Sequence, residues 1–97
     1  MKYMVDIDNT ICVTQGNDYQ NSKPLLDRIA KINELYDAGH EVHYWTARGG
    51  TTGFDLSLLM LKQLQDWGAK YTTANIGKPV YDVWIDDKAF NSEEYFK

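Results

Sequence analysis

Hydrophobic and polar positions along the chain follow two periods, one typical of strands and one typical of helices. Short runs rich in strand-forming residues predict strands at residues 3–5, 41–45 and 81–85. A brief strand is also predicted near residues 70–73. Residues 12–23 are polar and carry turn formers, so we expect a loop or a small hairpin flap there.

Apolar residues at helical spacing predict two helices between these strands. Pro24 opens the first helix and Gly39 ends it, and the second covers residues 54–67 and ends at Gly68. The predicted buried stripes are Leu25, Ile29, Ile32, Leu35 and Tyr36 in the first helix, and Phe54, Leu58, Leu61 and Leu64 in the second. The tail from Asn91 is predicted as a short helix or coil. Alternating strands and helices predict an α/β fold.

The composition fits one folded domain over residues 1–97. The chain is 43% hydrophobic and 25% charged, with a net charge of -4 and no cluster of Lys and Arg, which argues against a nucleic-acid partner. No apolar run approaches the roughly 20 residues of a membrane span, and the first residues do not resemble a signal peptide. Cys12 is the lone cysteine and cannot form an internal disulfide. We therefore expect a cytoplasmic protein in which Cys12 packs in the core.

Polar groups that could do chemistry follow the predicted strands. They are the pair Asp6 and Asp8, then Thr46, and the pair Asp86 and Asp87, with Lys78 on a loop just upstream of the last pair. Parallel strands align their carboxyl ends at one sheet edge, so we expect these groups to share a pocket. Two close carboxylates repel each other and generally need a cation, a shared proton or open solvent.

These motifs, in this order, resemble those of the haloacid dehalogenase superfamily of phosphatases over nearly the full chain. The matching residues are Asp6-Ile7-Asp8-Asn9-Thr10, Thr46, Lys78 and Asp86-Asp87. Three pieces resemble short members without a cap domain, often found with sugar or capsule biosynthesis functions: Thr46-Ala47-Arg48-Gly49, Gly77-Lys78-Pro79 and Ile85-Asp86-Asp87-Lys88-Ala89. The resemblance implies a single Rossmann-like α/β/α domain of three layers, with a mainly parallel sheet and no cap domain.

The resemblance also implies a Mg²⁺-dependent phosphomonoester hydrolase with assigned roles. Asp6 is the expected nucleophile that forms an aspartyl-phosphate, and Asp8 is the expected general acid and base. The residues expected to hold the phosphoryl oxygens are Thr46, Ala47 through its N–H, Lys78 and Asn9. The expected metal ligands are Asp6, Asp8 through its backbone carbonyl, Asp86 and Asp87, the last either directly or through a bound water.

Several residues near these motifs have two possible roles. Arg48 could bind a second anionic group of the substrate or only be solvated, and Tyr19 could close over a small substrate. Asn9 could also adopt a left-handed turn, and Thr10 could hydrogen-bond the loop. Asp55 could contact substrate, although capping of the second helix explains it as well. The two tryptophans Trp45 and Trp84 are expected in the core, and His40 and His43 are expected in a turn and a strand.

The predicted substrate is a phosphorylated sugar or a similar small metabolite, and a nucleotide is a possible alternative. A different class of function is a phospho-accepting or phosphate-binding regulatory module, which also uses Asp, Thr, Lys and Mg²⁺. Such receivers carry their acid pair after the first strand, whereas here the adjacent pair comes last. A third interpretation is an inactive scaffold, which the intact Asp8 argues against. Without a cap, a second copy of the chain could cover the site, so a homo-oligomer is also a hypothesis.

Overall fold

The computed structural model describes residues 1–48 and 56–97. In chain order its elements are β1 (Lys2–Asp6), β2 (Cys12–Val13), β3 (Lys23–Pro24), α1 (Leu26–Asp37), β4 (Glu41–Trp45), α2 (Ser57–Asp66), β5 (Thr73–Asn75) and α3 (Ser92–Tyr95). The prediction of alternating strands and helices is confirmed, as is the short helix in the tail.

Three of the strands form a parallel sheet in the order β1-β4-β5. Asp6 pairs with Trp45, and Trp45 pairs with Asn75, so these residues mark the carboxyl-terminal edge of the sheet. Strands β2 and β3 form a separate antiparallel pair. We call residues 12–24 the hairpin; it is the flap predicted from the polar composition of residues 12–23. The fold class, a small α/β domain with a mainly parallel sheet, is confirmed.

The core lies on one face of the sheet, where both long helices contribute to it. The buried apolar residues are Val5, Ile7, Ile11, Cys12, Ile29, Ile32, Val42, Tyr44, Met60 and Leu64. Each such aliphatic side chain stabilises the fold by roughly 1.5–3 kcal/mol when fully buried. Cys12 is fully buried and so packs in the core as expected. In α1 the predicted stripe is largely confirmed, because Ile29 and Ile32 are buried and Leu35 packs against them.

Two predicted features of the helices are wrong. Pro24 does not open α1 but pairs with Cys12 in the hairpin, and α1 begins at Leu26. The buried stripe of α2 is Met60, Gln63 and Leu64, whereas Leu58 is 81% exposed and Leu61 is also exposed. The helix is therefore rotated about its axis relative to the all-leucine stripe. Phe54 and Asp55 lie outside the described residues.

The predicted strand at residues 81–85 is not formed, and this prediction is wrong. Every residue from 81 to 90 is exposed, and Ile85 is 94% exposed. After Lys78 the chain instead places the Trp84 ring 6.5 Å from the ring of Trp45, which lies at the end of β4. This edge-on ring contact is present where the sequence predicted pairing, and residues 81–85 pair with no strand among the described residues. Trp84 is thus an exposed residue and not part of the core.

The brief strand predicted near residues 70–73 lies slightly later, at β5. Gly39 and Gly68 follow the two long helices with φ values of 96° and 73°. This left-handed conformation is typical of a glycine that ends a helix. Within the described residues, no helix combines the length and the hydrophobicity that crossing a membrane requires.

Candidate functional site

Seven of the ten predicted site residues line a cleft of about 190 Å³ at the carboxyl-terminal edge of the sheet. Its lining comprises Asp6, Asp8, Gly16, Tyr19, Thr46, Ala47, Arg48, Lys78, Pro79, Val80 and Tyr81. A larger cavity of about 410 Å³ lies on the sheet face away from the core, against Met4, His43 and Trp45. The chemistry-bearing groups therefore lie at the smaller cleft, the position where open α/β sheets bind ligands.

Asp6 ends β1 and faces this cleft. Its Oδ1 lies 3.5 Å from Lys78 Nζ, and its Oδ2 accepts a hydrogen bond from Thr10 Oγ1 at 3.1 Å. Thr10 reaches back to Asp6 because Asn9 adopts a left-handed φ of 62°, one of the two roles foreseen for it. Burial raises the pKa of Asp6 and outweighs the attraction of Lys78 and the Thr10 hydrogen bond, which lower it. Asp6 is thus a partly desolvated carboxylate beside a cation.

Asp8 is bound on both of its carboxylate oxygens. Arg48 donates from NH2 to Oδ1 at 2.9 Å and from Nε to Oδ2 at 3.0 Å. Thr14 Oγ1 donates to Oδ1 at 2.7 Å, and Thr46 Oγ1 donates to Oδ2 at 3.0 Å. Burial raises the pKa of Asp8, but these donors outweigh it and the net pKa is lowered. Asp8 is therefore ionised at neutral pH in this arrangement.

Arg48 is fully buried, so it is not solvated, and it lines the cleft. Besides Asp8, its NH1 donates to Gln63 Oε1 at 2.5 Å, and its guanidinium carbon lies 4.9 Å from the centroid of the Tyr19 ring. Arg48 therefore holds Asp8, the expected general acid and base, in place. A planar guanidinium suits this task because it can contact two carboxylate oxygens at once.

Thr46, Ala47 and Lys78 lie together as predicted. Thr46 is fully buried at the end of β4, and its carbonyl accepts the backbone N–H of Lys78 at 3.0 Å. Ala47 lines the cleft. The Lys78 side chain is largely buried, and its Nζ lies 5.2 Å from the ring centroid of Tyr81. The Lys78 ammonium thus lies near an aromatic ring as well as near the Asp6 carboxylate.

The Asn9 side chain does not line the cleft and makes a local contact instead. Its side-chain oxygen accepts the backbone N–H of Thr14 at 3.1 Å. Thr14 in turn bonds Ser22 across the hairpin, with 2.6 Å between the hydroxyl oxygens. Asn9 therefore joins the turn after β1 to the base of the hairpin.

The last acid pair does not reach the cleft. Asp86 accepts hydrogen bonds from the backbone N–H of Lys88 at 2.8 Å and from Trp84 Nε1 at 3.3 Å, and these lower its pKa. Asp86 and Asp87 are both exposed. Across residues 1–48 and 56–97, no group of three or more His, Cys, Asp or Glu side chains is arranged to hold a metal ion. The predicted four-residue magnesium site is not assembled, and of its side chains only Asp6 offers the cleft a carboxylate without a bound arginine.

Two residues of this site were missed by reasoning from the sequence. Gln63 is buried on α2 and bonds both Arg48 and the Tyr19 carbonyl. Its spacing of three residues from Met60 and four from Trp67 places it on the buried face, a signal that the leucine stripe obscured. Thr14 is also buried, and its role depends on the hairpin, which brings it to Asp8.

Comparison with known proteins supports the fold. No protein-family model matches the chain, and no curated protein matches it. A crystal structure of a Vibrio cholerae protein, described as an MCSG target, is similar to this chain with a TM-score of 0.86 and 28% sequence identity. The similarity covers 98% of this chain and 86% of that chain. That protein carries no stated activity, so the similarity bears on the α/β fold and not on the chemistry.

Proposed function

We propose that this protein is a phosphomonoester hydrolase of the haloacid dehalogenase type, with Asp6 as its nucleophile. The observation that carries the proposal is the Asp6 carboxylate, which faces a cleft at the sheet edge with Lys78 Nζ 3.5 Å away. A carboxylate beside a fixed cation can attack an anionic phosphoryl group that would otherwise repel it. The second supporting observation is Asp8, which shares the same cleft and is held in one orientation by Arg48.

The proposed reaction has two displacements. An Asp6 oxygen bonds to phosphorus as the bond to the leaving oxygen breaks, and that oxygen takes its proton from the small fraction of Asp8 that is protonated, because the donors around Asp8 keep most of it ionised. Ionised Asp8 then takes a proton from water as the water oxygen attacks phosphorus, which breaks the Asp6–phosphorus bond and releases phosphate. The lowered pKa of Asp8 suits the second step, because it keeps the proton acceptor available at neutral pH. Thr46, the Ala47 N–H and Lys78 would hold the phosphoryl oxygens.

We include Mg²⁺ in the proposal because the resemblance of the sequence motifs implies it. When bound, Mg²⁺ offsets the negative charge of the transferring phosphoryl group. Asp6 and the backbone carbonyl of Asp8 would be ligands from the cleft, whereas Asp86 and Asp87, the other ligands expected from the motifs, do not line it. The described residues do not assemble that set, so the two displacements above involve the protein groups alone.

The proposed substrate is a small phosphorylated metabolite such as a sugar phosphate. At about 190 Å³ the cleft is smaller than the roughly 300–1,000 Å³ of typical drug-sized ligand sites, which favours a sugar over a nucleotide. Tyr19 and Tyr81 both line it and would contact the leaving group. We further propose a cytoplasmic location, consistent with the lone buried thiol of Cys12.

The test is release of inorganic phosphate from sugar phosphates, nucleotides and a chromogenic aryl phosphate, with Mg²⁺ or with excess chelator. Wild type, Asp6→Asn and Asp37→Asn are compared; Asp37 is an exposed acid that pairs with Lys70 at the end of α1 and serves as the control. We expect turnover in wild type and Asp37→Asn, loss of it in Asp6→Asn, and loss of it with chelator. Equal turnover by Asp6→Asn would overturn the assignment of the nucleophile.

The alternative, a phospho-accepting module, predicts a different fate for the same carboxylate. Intact-protein mass spectrometry after incubation with a phosphoryl donor distinguishes the two. An adduct on Asp6 that persists for minutes supports the module, whereas rapid turnover with no accumulated adduct supports the hydrolase. The ionised Asp8 beside Asp6 favours rapid turnover, since it can activate the water that removes the adduct.

A further inference from the structure

The hairpin is tied to the site at two separate points. At its base, Thr14 Oγ1 donates to Asp8 Oδ1 at 2.7 Å. Near its tip, in the 3-10 turn Tyr19–Asn21, the Tyr19 carbonyl accepts Gln63 Nε2 at 2.6 Å. Between these points the Tyr19 ring packs on the Arg48 guanidinium. Both ends of the hairpin are thus connected to the same buried ion pair.

The Gln63 side chain forms hydrogen bonds to Arg48 and to the hairpin residue Tyr19. Its carbonyl oxygen accepts from Arg48 NH1, and its amide nitrogen donates to the Tyr19 carbonyl. The side chain is buried, so an unmade bond on either side would leave a desolvated polar group. An amide accepts through its oxygen and donates through its nitrogen, so the Gln63 side chain can make both contacts at once.

We propose that Gln63 is the positioning residue that holds the hairpin of residues 12–24 closed over the cleft, by joining the Tyr19 carbonyl to the Arg48 guanidinium. Gln63 touches neither of the proposed reacting carboxylates; it acts through Arg48 and Tyr19. Closure fixes Tyr19 at the wall of the cleft and keeps Arg48 from turning away from Asp8. The hairpin is short, with only two paired residues in each strand, so it depends on such contacts for its position.

The first experiment measures backbone amide hydrogen exchange in residues 15–22, with α1 as the internal reference, and needs no substrate. Gln63→Glu keeps the size of the side chain and its bond from Arg48, but it replaces the donor to Tyr19 with a second acceptor. Gln63→Met removes both bonds. Gln65→Glu and Gln65→Met, at an exposed position of α2, are the matched controls.

We expect exchange in residues 15–22 to rise about tenfold in both Gln63 variants, the factor that corresponds to losing one buried hydrogen bond. The Gln65 variants should match wild type. Unchanged exchange in both Gln63 variants would overturn the proposal. A rise in Gln63→Met without one in Gln63→Glu would also overturn it, because packing and not the bond to Tyr19 would then hold the hairpin. Should Gln63→Met fail to fold, the isosteric Gln63→Glu decides.

The second experiment is kinetic and rests on the proposed function. Gln63→Glu should raise KM for a phosphate ester about tenfold and change kcat by less than about twofold, since Arg48 still holds Asp8. Gln63→Met should also lower kcat. A purely structural role would lower the active fraction, and hence kcat, without raising KM. Absence of turnover in wild type would count against the proposed function, while the exchange result would still decide the role of Gln63.

Discussion

The Arg48 guanidinium binds both carboxylate oxygens of Asp8, forty residues earlier in the chain, at 2.9 and 3.0 Å. Arg48 is fully buried and the Asp8 side chain is 19% exposed, so water does little to screen the pair. Each charge depends on the other for compensation of its lost hydration. The pair joins the turn after β1 to the segment after β4, and it is therefore both a structural contact and part of the proposed site.

Replacing Arg48 should destabilise the protein strongly. In Arg48→Met the Asp8 carboxylate keeps its place in the interior without a cation, and breaking a buried pair in this way costs about 3–5 kcal/mol. The measurement is the free energy of unfolding in urea at pH 7. The double variant with Asp8→Asn should recover at least about 1 kcal/mol, because it removes the uncompensated charge. A double variant no more stable than Arg48→Met would show that the loss comes from packing of the arginine stem.

The Asp8 pair should also produce a defined dependence of stability on pH. The pKa of folded Asp8 is below its usual value of 3.8, so the stability that the pair contributes is fully present above that value. It is lost as the pH falls from that value through the folded pKa. In this range the unfolded chain binds a proton on Asp8 more readily than the folded chain does, so protonation favours unfolding. We expect wild type to exceed Asp8→Asn in unfolding free energy at pH 7, and the gap to close below about pH 3.8. A gap that stays constant down to pH 2 would contradict the depressed pKa.

Asp6 should behave in the opposite way. Its pKa is raised, chiefly by burial, so ionised Asp6 opposes folding once the pH exceeds the folded pKa. Asp6→Asn should therefore stabilise the protein at pH 7, by no more than about 1 kcal/mol because the side chain is partly solvated. The effect should disappear below about pH 3.8, where Asp6 is protonated in both states. Thermal unfolding at pH 7 and pH 3 provides the check, and a lower midpoint for Asp6→Asn at pH 7 would contradict it.

Lys78 should matter for catalysis more than for stability. Its Nζ lies near Asp6 at the cleft, where a phosphoryl oxygen would also lie. Lys78→Met should lower kcat/KM for phosphate esters by about 10²–10³-fold, the usual loss when one preorganised donor is removed. Lys70→Met, which removes an exposed lysine paired with Asp37, is the control and should keep full activity. Similar losses in both variants would mean that general positive charge, and not the position of Lys78, is what counts.

The predictions from sequence succeeded where short-range patterns decide the structure. The spacing of Ile29 and Ile32 is enough to identify the buried face of α1, and the acids after residues 3–5 mark the carboxyl end of β1. The role of Arg48 could not be predicted in the same way, because its partners Asp8 and Gln63 are brought to it by the fold. A polar residue such as Gln63 on a buried helix face looks like a solvent position until its partners are known.

In the segment after Lys78 the sequence pattern predicts a strand, at residues 81–85, that the structure does not contain. Because residues 81–85 form no buried strand, the 94% exposed Ile85 should tolerate a charge, and Ile85→Lys should change the unfolding free energy by less than about 0.5 kcal/mol. Ile29→Ala, in the core of α1, is the positive control and should cost about 2–5 kcal/mol. A loss above about 2 kcal/mol for Ile85→Lys would indicate that Ile85 is buried in solution. That result would support the strand predicted at residues 81–85, at whose end Asp86 was expected to reach the cleft.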